Sequence, residues 1–372
     1  MNDVISESQR PRGLAIFHID TPLLLGLLAL MGFGLLVLYS ASGQSQAMMQ
    51  AQLIRLGLAF AVMVVFAQIS PLTYKRWGLP VFLLGLLMLV AVLLVGEIGK
   101  GAQRWLNLGF VRFQPSELMK LAVPLAIAWF ISNHNLPPKL WRLLLGFVMC
   151  VIPTLLIAKQ PDLGTALLIA TSGIMVLFLA GMSWRLIVFI GALVSSLLPV
   201  MWFFVMHDYQ KRRVLTFLNP ETDPLGSGYH IIQSKIAIGS GGLQGKGWLQ
   251  GTQSQLEFLP ERHTDFIFSV LSEEFGLVGV VLLISLYLFV IARCMLIAIR
   301  AQDSFSKLVA GSFTMTFFVY VFVNIGMVSG LLPVVGVPLP LVSFGGTSMV
   351  TLLAAFGILM SIATHKRILA SS

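Results

Sequence analysis

The chain has 372 residues, of which 57% are hydrophobic and only 10% charged, and its mean hydropathy is +0.90. Soluble domains carry about a quarter charged residues, and disordered chains combine high charge with little apolar content, so both classes are excluded. The formal charge of +9 has to be read along the chain, by where the Lys and Arg fall between apolar stretches.

A helix needs about 20 apolar residues to cross a bilayer. Stretches free of Asp, Glu, Lys and Arg place spans near 21–40, 56–74, 77–96, 121–138, 143–158, 163–184 and 186–207. An eighth covers 275–292, and an apolar run carries it back to Phe266. The last stretch, 308–365, is too long for one crossing and divides at Leu331–Pro340, where Pro333, Pro338 and Pro340 stop and restart helices. The expected fold is all-α: one polytopic integral membrane domain over 1–372 with about ten transmembrane helices and a large loop, 207–264, between spans 7 and 8.

With both termini on the cytoplasmic side, the inner segments hold twelve Lys and Arg and the short outer loops four, which fixes that orientation. Residues 1–13 are polar and no small-residue cleavage site follows a short apolar core, so span 1 is expected to stay as an anchor. Cys150 and Cys294 fall in a span and near the inner face, where a disulfide is not expected. No spacing suggests a protein-built metal cage, and no aromatic-basic patch suggests nucleic-acid binding.

Ionisable groups at membrane depth cost several kcal/mol, so each is a candidate for function. They gather on the outer side: Arg104 and Arg112 in the loop between spans 3 and 4, Glu117 and Lys120 in the first turns of span 4, Asp162 at the start of span 6, Asp265 at the start of span 8, and Ser343 before span 10. Pro115 suits a first helical position, which puts Glu117 among free N–H groups, and Lys120 can pair with it at i, i+3. Asp162 reads equally as an N-cap. Arg104 and Arg112 suit bidentate phosphate contacts or ordinary headgroup contacts, and Arg55 reads as snorkelling or function alike. Polar groups at one mouth suit a one-sided enzyme better than a carrier, which needs a polar site near the midplane.

The segment 207–264 contains two amphipathic pieces, Tyr209–Leu218 and His230–Ile238, the first strongly basic. Its GSGGLQGKGW run fails as a phosphate loop, because Ser240 stands where the first glycine is needed and Gly247 follows Lys246. It reads instead as a turn folding the segment back over the mouth. LPERHTDF closes the segment, with His263 and Asp265 near a helix start; shielded by Phe266 and Phe268, Asp265 could serve as a general base. Glu273 and Glu274 are eight and nine residues further on, about 80° and 180° round a helix, and make poor partners for a two-carboxylate site.

GAQRWLNLGFVRFQPSELMKLAVP (101–124), QPDLGTALL (160–168), the run from DPLGSGYHIIQ to LSEEFGLVG (223–279) and GMVSGLLPVVGVPLPLVSFGGTSM (326–349) resemble the SEDS family (shape, elongation, division, sporulation) in order and spacing. The ERHTDFIFSVLSEEFG form is similar to the family's elongation branch more than to its division branch. The resemblance implies a peptidoglycan glycosyltransferase of the inner membrane, facing the periplasm. It would polymerise lipid II alongside a class B penicillin-binding protein, with Asp265 matching the family's essential aspartate and Arg104, Glu117, Lys120 and Asp162 matching its outer cavity. Asp265 is then the expected catalytic base, and Arg104, Arg112, Glu117, Lys120, Asp162, His263 and Ser343 the expected substrate contacts. No cofactor is built in, although a divalent cation (Mg or Mn) could accompany the pyrophosphate. The alternatives are a lipid II flippase and a non-catalytic scaffold for a transpeptidase.

Overall fold

The computed structural model describes residues 17–99, 102–107, 109, 112–206, 208–219, 221, 227–256, 258–259 and 261–365. Thirteen α-helices occur among them: α1 (Thr21–Ala41), α2 (Gln46–Gln68), α3 (Pro71–Val95), α4 (Pro115–Ser132), α5 (Leu140–Lys159), α6 (Leu163–Leu179), α7 (Trp184–Val200), α8 (Asp208–Leu218), α9 (Ser227–Ser240), α10 (Thr252–Gln255), α11 (Ile267–Arg300), α12 (Ser304–Val328) and α13 (Thr347–Thr364). Eight are long and apolar enough to cross a membrane, and the shorter apolar helices α6 and α7 fall where spans 6 and 7 were expected. The chain is a multi-pass membrane protein.

Helix ends follow capping chemistry more closely than the limits of charge-free stretches. Ser45 accepts a hydrogen bond from the Met48 N–H at 3.4 Å and starts α2 ten residues before the expected Leu56. The backbone turns at Ile69–Ser70, and Pro71 opens α3, so Tyr74, Lys75 and Arg76 belong to α3 and not to the end of α2 or a loop. Both ends lie beyond the charge-free stretches because a helix runs on through Lys or Arg at a membrane boundary, where the long stems reach water. α4 starts at Pro115, the first helical position expected for it, six residues ahead of the charge-free stretch at 121.

One small sheet departs from the all-helical expectation. β1 (Glu97–Gly99), β2 (Ala102–Asn107) and β3 (Arg112–Phe113) form an antiparallel three-stranded unit between α3 and α4. In the segment expected as the large loop, both amphipathic pieces are helical, as α8 and α9. The glycine-rich run after α9 folds back onto α11, where the Lys246 N–H donates to Glu273 O at 2.9 Å and the Gly247 N–H to Glu274 O at 3.0 Å.

α4 is the most enclosed of the eight long helices, packed against α3, α5, α6 and α12. Lipid supplies no hydrophobic force between helices, so close backbone approach at small residues does the joining. Gly78 of α3 lies against the Leu125 carbonyl of α4, and Gly357 of α13 against the Met63 carbonyl of α2. Arg293 of α11 makes a two-pronged bond to Asp20, with Nε at 2.9 Å and Nη2 at 2.5 Å. Asp20 also caps α1 through the Leu23 N–H at 3.1 Å.

A methyl group at Gly357 would overlap the Met63 carbonyl, which belongs to backbone and cannot swing away. Gly357→Ala should therefore destabilise the purified protein by about 1–3 kcal/mol, read as a lower thermal unfolding midpoint. Gly57→Ala, on open space in α2, should leave that midpoint unchanged or raise it slightly through helix propensity.

Candidate active site

The turn 261–266 leads into α11 and carries Asp265. The helix cap is Phe266, so Asp265 stands one residue ahead of the cap, near the helix start as expected. Three consecutive carbonyls of this turn are held from elsewhere in the fold. His263 O accepts from the Phe344 N–H at 2.8 Å, Thr264 O from Ser343 Oγ at 2.6 Å, and Asp265 O from Asn324 Nδ2 at 3.0 Å. Asn324, fully buried in α12, gives its other amide hydrogen to Val337 O at 2.7 Å. The Asp265 carboxylate, half-buried, faces Gly336, whose lack of a Cβ leaves space beside it and whose φ of 72° suits glycine.

Ser343 departs from the expected substrate contact. It accepts from the Leu339 N–H at 2.8 Å, and its one hydroxyl hydrogen goes to Thr264 O. It is a pin for the Asp265 turn. Gln52 of α2 ties the same stretch down, with Nε2 donating to Ser343 O and Oε1 accepting from the Gly345 N–H, both at 3.4 Å.

On α4, Lys120 Nζ donates to Glu117 Oε1 at 2.8 Å, and the two side chains are only 9% and 8% exposed. Pro115 occupies the first helical turn and Glu117 lies in it, as the sequence suggested. The ammonium also sits 5.6 Å from the Tyr320 ring centre. Tyr320 and Asn324 are four residues apart on α12, so the ring that Lys120 meets and the amide that holds Asp265 O share one face of that helix. Glu117 Oε2 and Asn324 Oδ1 are buried acceptors without a protein partner.

Asp162 caps α6 through the Thr165 N–H at 3.2 Å, the plainer of its two readings. Its second oxygen accepts from Gln114 Nε2 at 3.2 Å and meets Arg104 Nη1 at 3.8 Å. Arg104, on β2, donates to Gln160 O at 3.2 Å and to Pro161 O. The sheet thus ties Arg104 to the Asp162 corner, but it leaves Arg112 on its edge, 72% exposed and 3.4 Å from Glu97. Arg112 is not brought to the Glu117–Lys120–Asp162 group. His263 meets the edge of Phe344 at 5.9 Å and lines a cavity of about 320 Å³ with Ala41, Ser42, Met48, Leu259, Glu261 and Arg262.

The family model of the FtsW/RodA/SpoVE cell cycle proteins matches residues 21–368. The chain belongs to this family. It is 58% identical over 355 residues to the peptidoglycan glycosyltransferase MrdB of Escherichia coli K12, covering 95% of this chain and 96% of that protein. It is 37% identical over 363 residues to a probable peptidoglycan glycosyltransferase FtsW of Geobacter sulfurreducens, covering 94% and 96%. Among solved structures it resembles a chain described under the structural coordination of polymerization and crosslinking by a peptidoglycan synthase complex, with a TM-score of 0.80, 33% identity and 93% and 97% coverage. The rod shape determining protein RodA of Thermus thermophilus gives 0.70, 29%, 93% and 96%.

Gln52 and Asn324, amides buried in otherwise apolar helices, carry no charge that marks them in the sequence, and Arg55 reads there equally as snorkelling or as functional. The Arg55 guanidinium lies 4.4 Å over the Phe344 ring, the same ring that His263 meets. A helix start placed at Ser45 would have set Arg55 more than two turns inside α2, facing the family motif at 343–348. Replacing Asn324 by Leu should leave the buried Val337 carbonyl unpaired, at about 1–3 kcal/mol, and the half-buried Asp265 carbonyl unpaired at less. The expected result is a lower unfolding midpoint, with faster backbone hydrogen exchange at 264–268 than in α5.

Proposed function

We propose that this chain is a peptidoglycan glycosyltransferase that polymerises lipid II at the periplasmic face of the inner membrane, in complex with a class B penicillin-binding protein. The names of its relatives support the reaction. The complex described for the similar solved structure supports the partnership. The single observation that carries the chemistry is Asp265 on a turn pinned through three carbonyls, one of them held by Asn324 of α12, one helical turn from the Tyr320 ring that the buried Lys120 of the Glu117–Lys120 pair meets.

Asp265 acts as general base on the 4-hydroxyl of the acceptor GlcNAc. The hydroxyl oxygen attacks C1 of the donor MurNAc, the C1–O bond to the polyprenyl pyrophosphate breaks, and the proton passes to the carboxylate. Attack from the face opposite the leaving group turns an α-linked donor into a β-1,4 linkage, which needs one base and no covalent enzyme intermediate. The leaving group departs as an anion, so it needs positive charge more than a proton. Lys120 and Arg104 supply that charge, and Glu117 Oε2 and Asn324 Oδ1 are acceptors that a sugar or water hydroxyl would satisfy.

Among the described residues no three His, Cys, Asp or Glu side chains gather to hold a metal ion. A Mg or Mn ion accompanying the pyrophosphate would find its protein oxygen at Glu117 Oε2, the carboxylate oxygen that Lys120 does not bond. Exposed Arg112 is assigned an outer role, guiding the pyrophosphate in, with the Arg104 side of the sheet nearer the reacting bond.

Asp265→Asn keeps the size of the side chain and removes its basicity. In purified protein, with the partner transpeptidase present, polymerisation of labelled lipid II should fall by about 10²–10⁴ at an unchanged unfolding midpoint. Glycan ladders formed at a near wild-type rate would show that the base lies elsewhere.

A further inference from the structure

We propose that Glu273, eight residues beyond Asp265, is a positioning residue that holds the Asp265 turn in place through the glycine-rich loop; this rests on the reading of Asp265 as base. Glu273 is fully buried in the first two turns of α11. Its carboxylate accepts from Lys246 Nζ at 2.7 Å, Thr252 Oγ1 at 3.1 Å, the Gln253 N–H at 3.0 Å and the Ser254 N–H at 3.3 Å. Four donors from one loop on one buried carboxylate form a clasp, and a buried charge is tolerated only when paired and bonded in this way.

The backbone of α11 is shaped to receive the loop. Gly276 breaks the helix at φ 60° and ψ −156°. Beyond the break, the Leu277 and Val278 N–H groups donate to Gly242 O at 3.0 Å and Leu243 O at 3.2 Å. Ahead of it, Gly241 and Gly245 lie so close to the Ser272 and Glu274 carbonyls that a Cβ at either would overlap them. The glycines that read as a failed phosphate loop are therefore the surface by which the loop seats on α11.

The clasped loop reaches the catalytic turn through Ser254. Ser254, whose N–H is bonded to Glu273, accepts from Arg262 Nη1 through its carbonyl. Arg262 is three residues before Asp265, at the end of the turn that Ser343 and Asn324 do not hold. The turn is thus tied from α12 and the 339–344 stretch at one end, and from the Glu273 clasp at the other.

The test compares Glu273→Gln, Glu273→Asp and Lys246→Met in the full-length protein with its partner. Hydrogen exchange is read without substrate, and kcat and KM are read from lipid II polymerisation. Lys246 is partly exposed, so its variant decides the matter if Glu273→Gln fails to fold. The expected result for Lys246→Met and Glu273→Gln is faster exchange at 250–256 and 261–266, at least a tenfold lower kcat, and KM within threefold of wild type. Glu273→Asp should recover part of kcat.

A kcat within twofold of wild type in the folded variants, or exchange unchanged at 261–266, overturns the proposal. So does a loss confined to KM. If Asp265→Asn stays active, the base assignment fails on its own, while the exchange measurement still decides whether Glu273 holds the turn.

Discussion

The carbonyls of His263, Thr264 and Asp265 are each bonded to a donor from a distant part of the chain, and the rest of the site takes its meaning from that restraint. A carboxylate on a free turn would be one more surface acid. On this turn it is fixed relative to α12 through Asn324, to the approach to α13 through Ser343 and Phe344, and by way of Gln52 to α2. Positional precision of this kind converts a weak base into an effective one, because a near-attack geometry removes much of the entropic barrier.

The second element is the buried Glu117–Lys120 pair. A pair nine-tenths enclosed is a poor stabiliser, since desolvation offsets most of its Coulomb attraction, and removing one partner strands the other at about 3–5 kcal/mol. Its persistence in the most enclosed helix of the bundle suits a site that must receive anions. Glu117 Oε2, a buried acceptor without a partner, adds a place for a hydroxyl hydrogen. Arg104 and Asp162 form a neighbouring corner whose charges are already partly spent on capping and on the Gln160 and Pro161 carbonyls.

Much of this was legible from residue type alone. The apolar stretches gave the helices, and the expense of charge at membrane depth singled out Asp265, Glu117, Lys120 and Asp162. What stayed hidden was whatever depends on a partner distant in sequence. Ser343 looked like a substrate contact because nothing local reveals that its hydroxyl is bonded to Thr264 O. Asn324 and Gln52 were invisible because an amide carries no charge to make it conspicuous in an apolar run. Arg112 shares a loop with Arg104, yet a two-residue strand turns it outward to Glu97. The start of α2 was misplaced because a single serine, not the end of a charge-free stretch, begins that helix.

The claim that a fixed Asp265 takes the acceptor's proton is tested most directly by the pH dependence of kcat/KM for lipid II polymerisation. The wild type should rise along an acid limb of slope one to a plateau, reporting one group that must be deprotonated. Asp265→Glu, active at a reduced rate, should move the midpoint of that limb. A limb with the same midpoint in both proteins would contradict the account and place the titrating base elsewhere in the site.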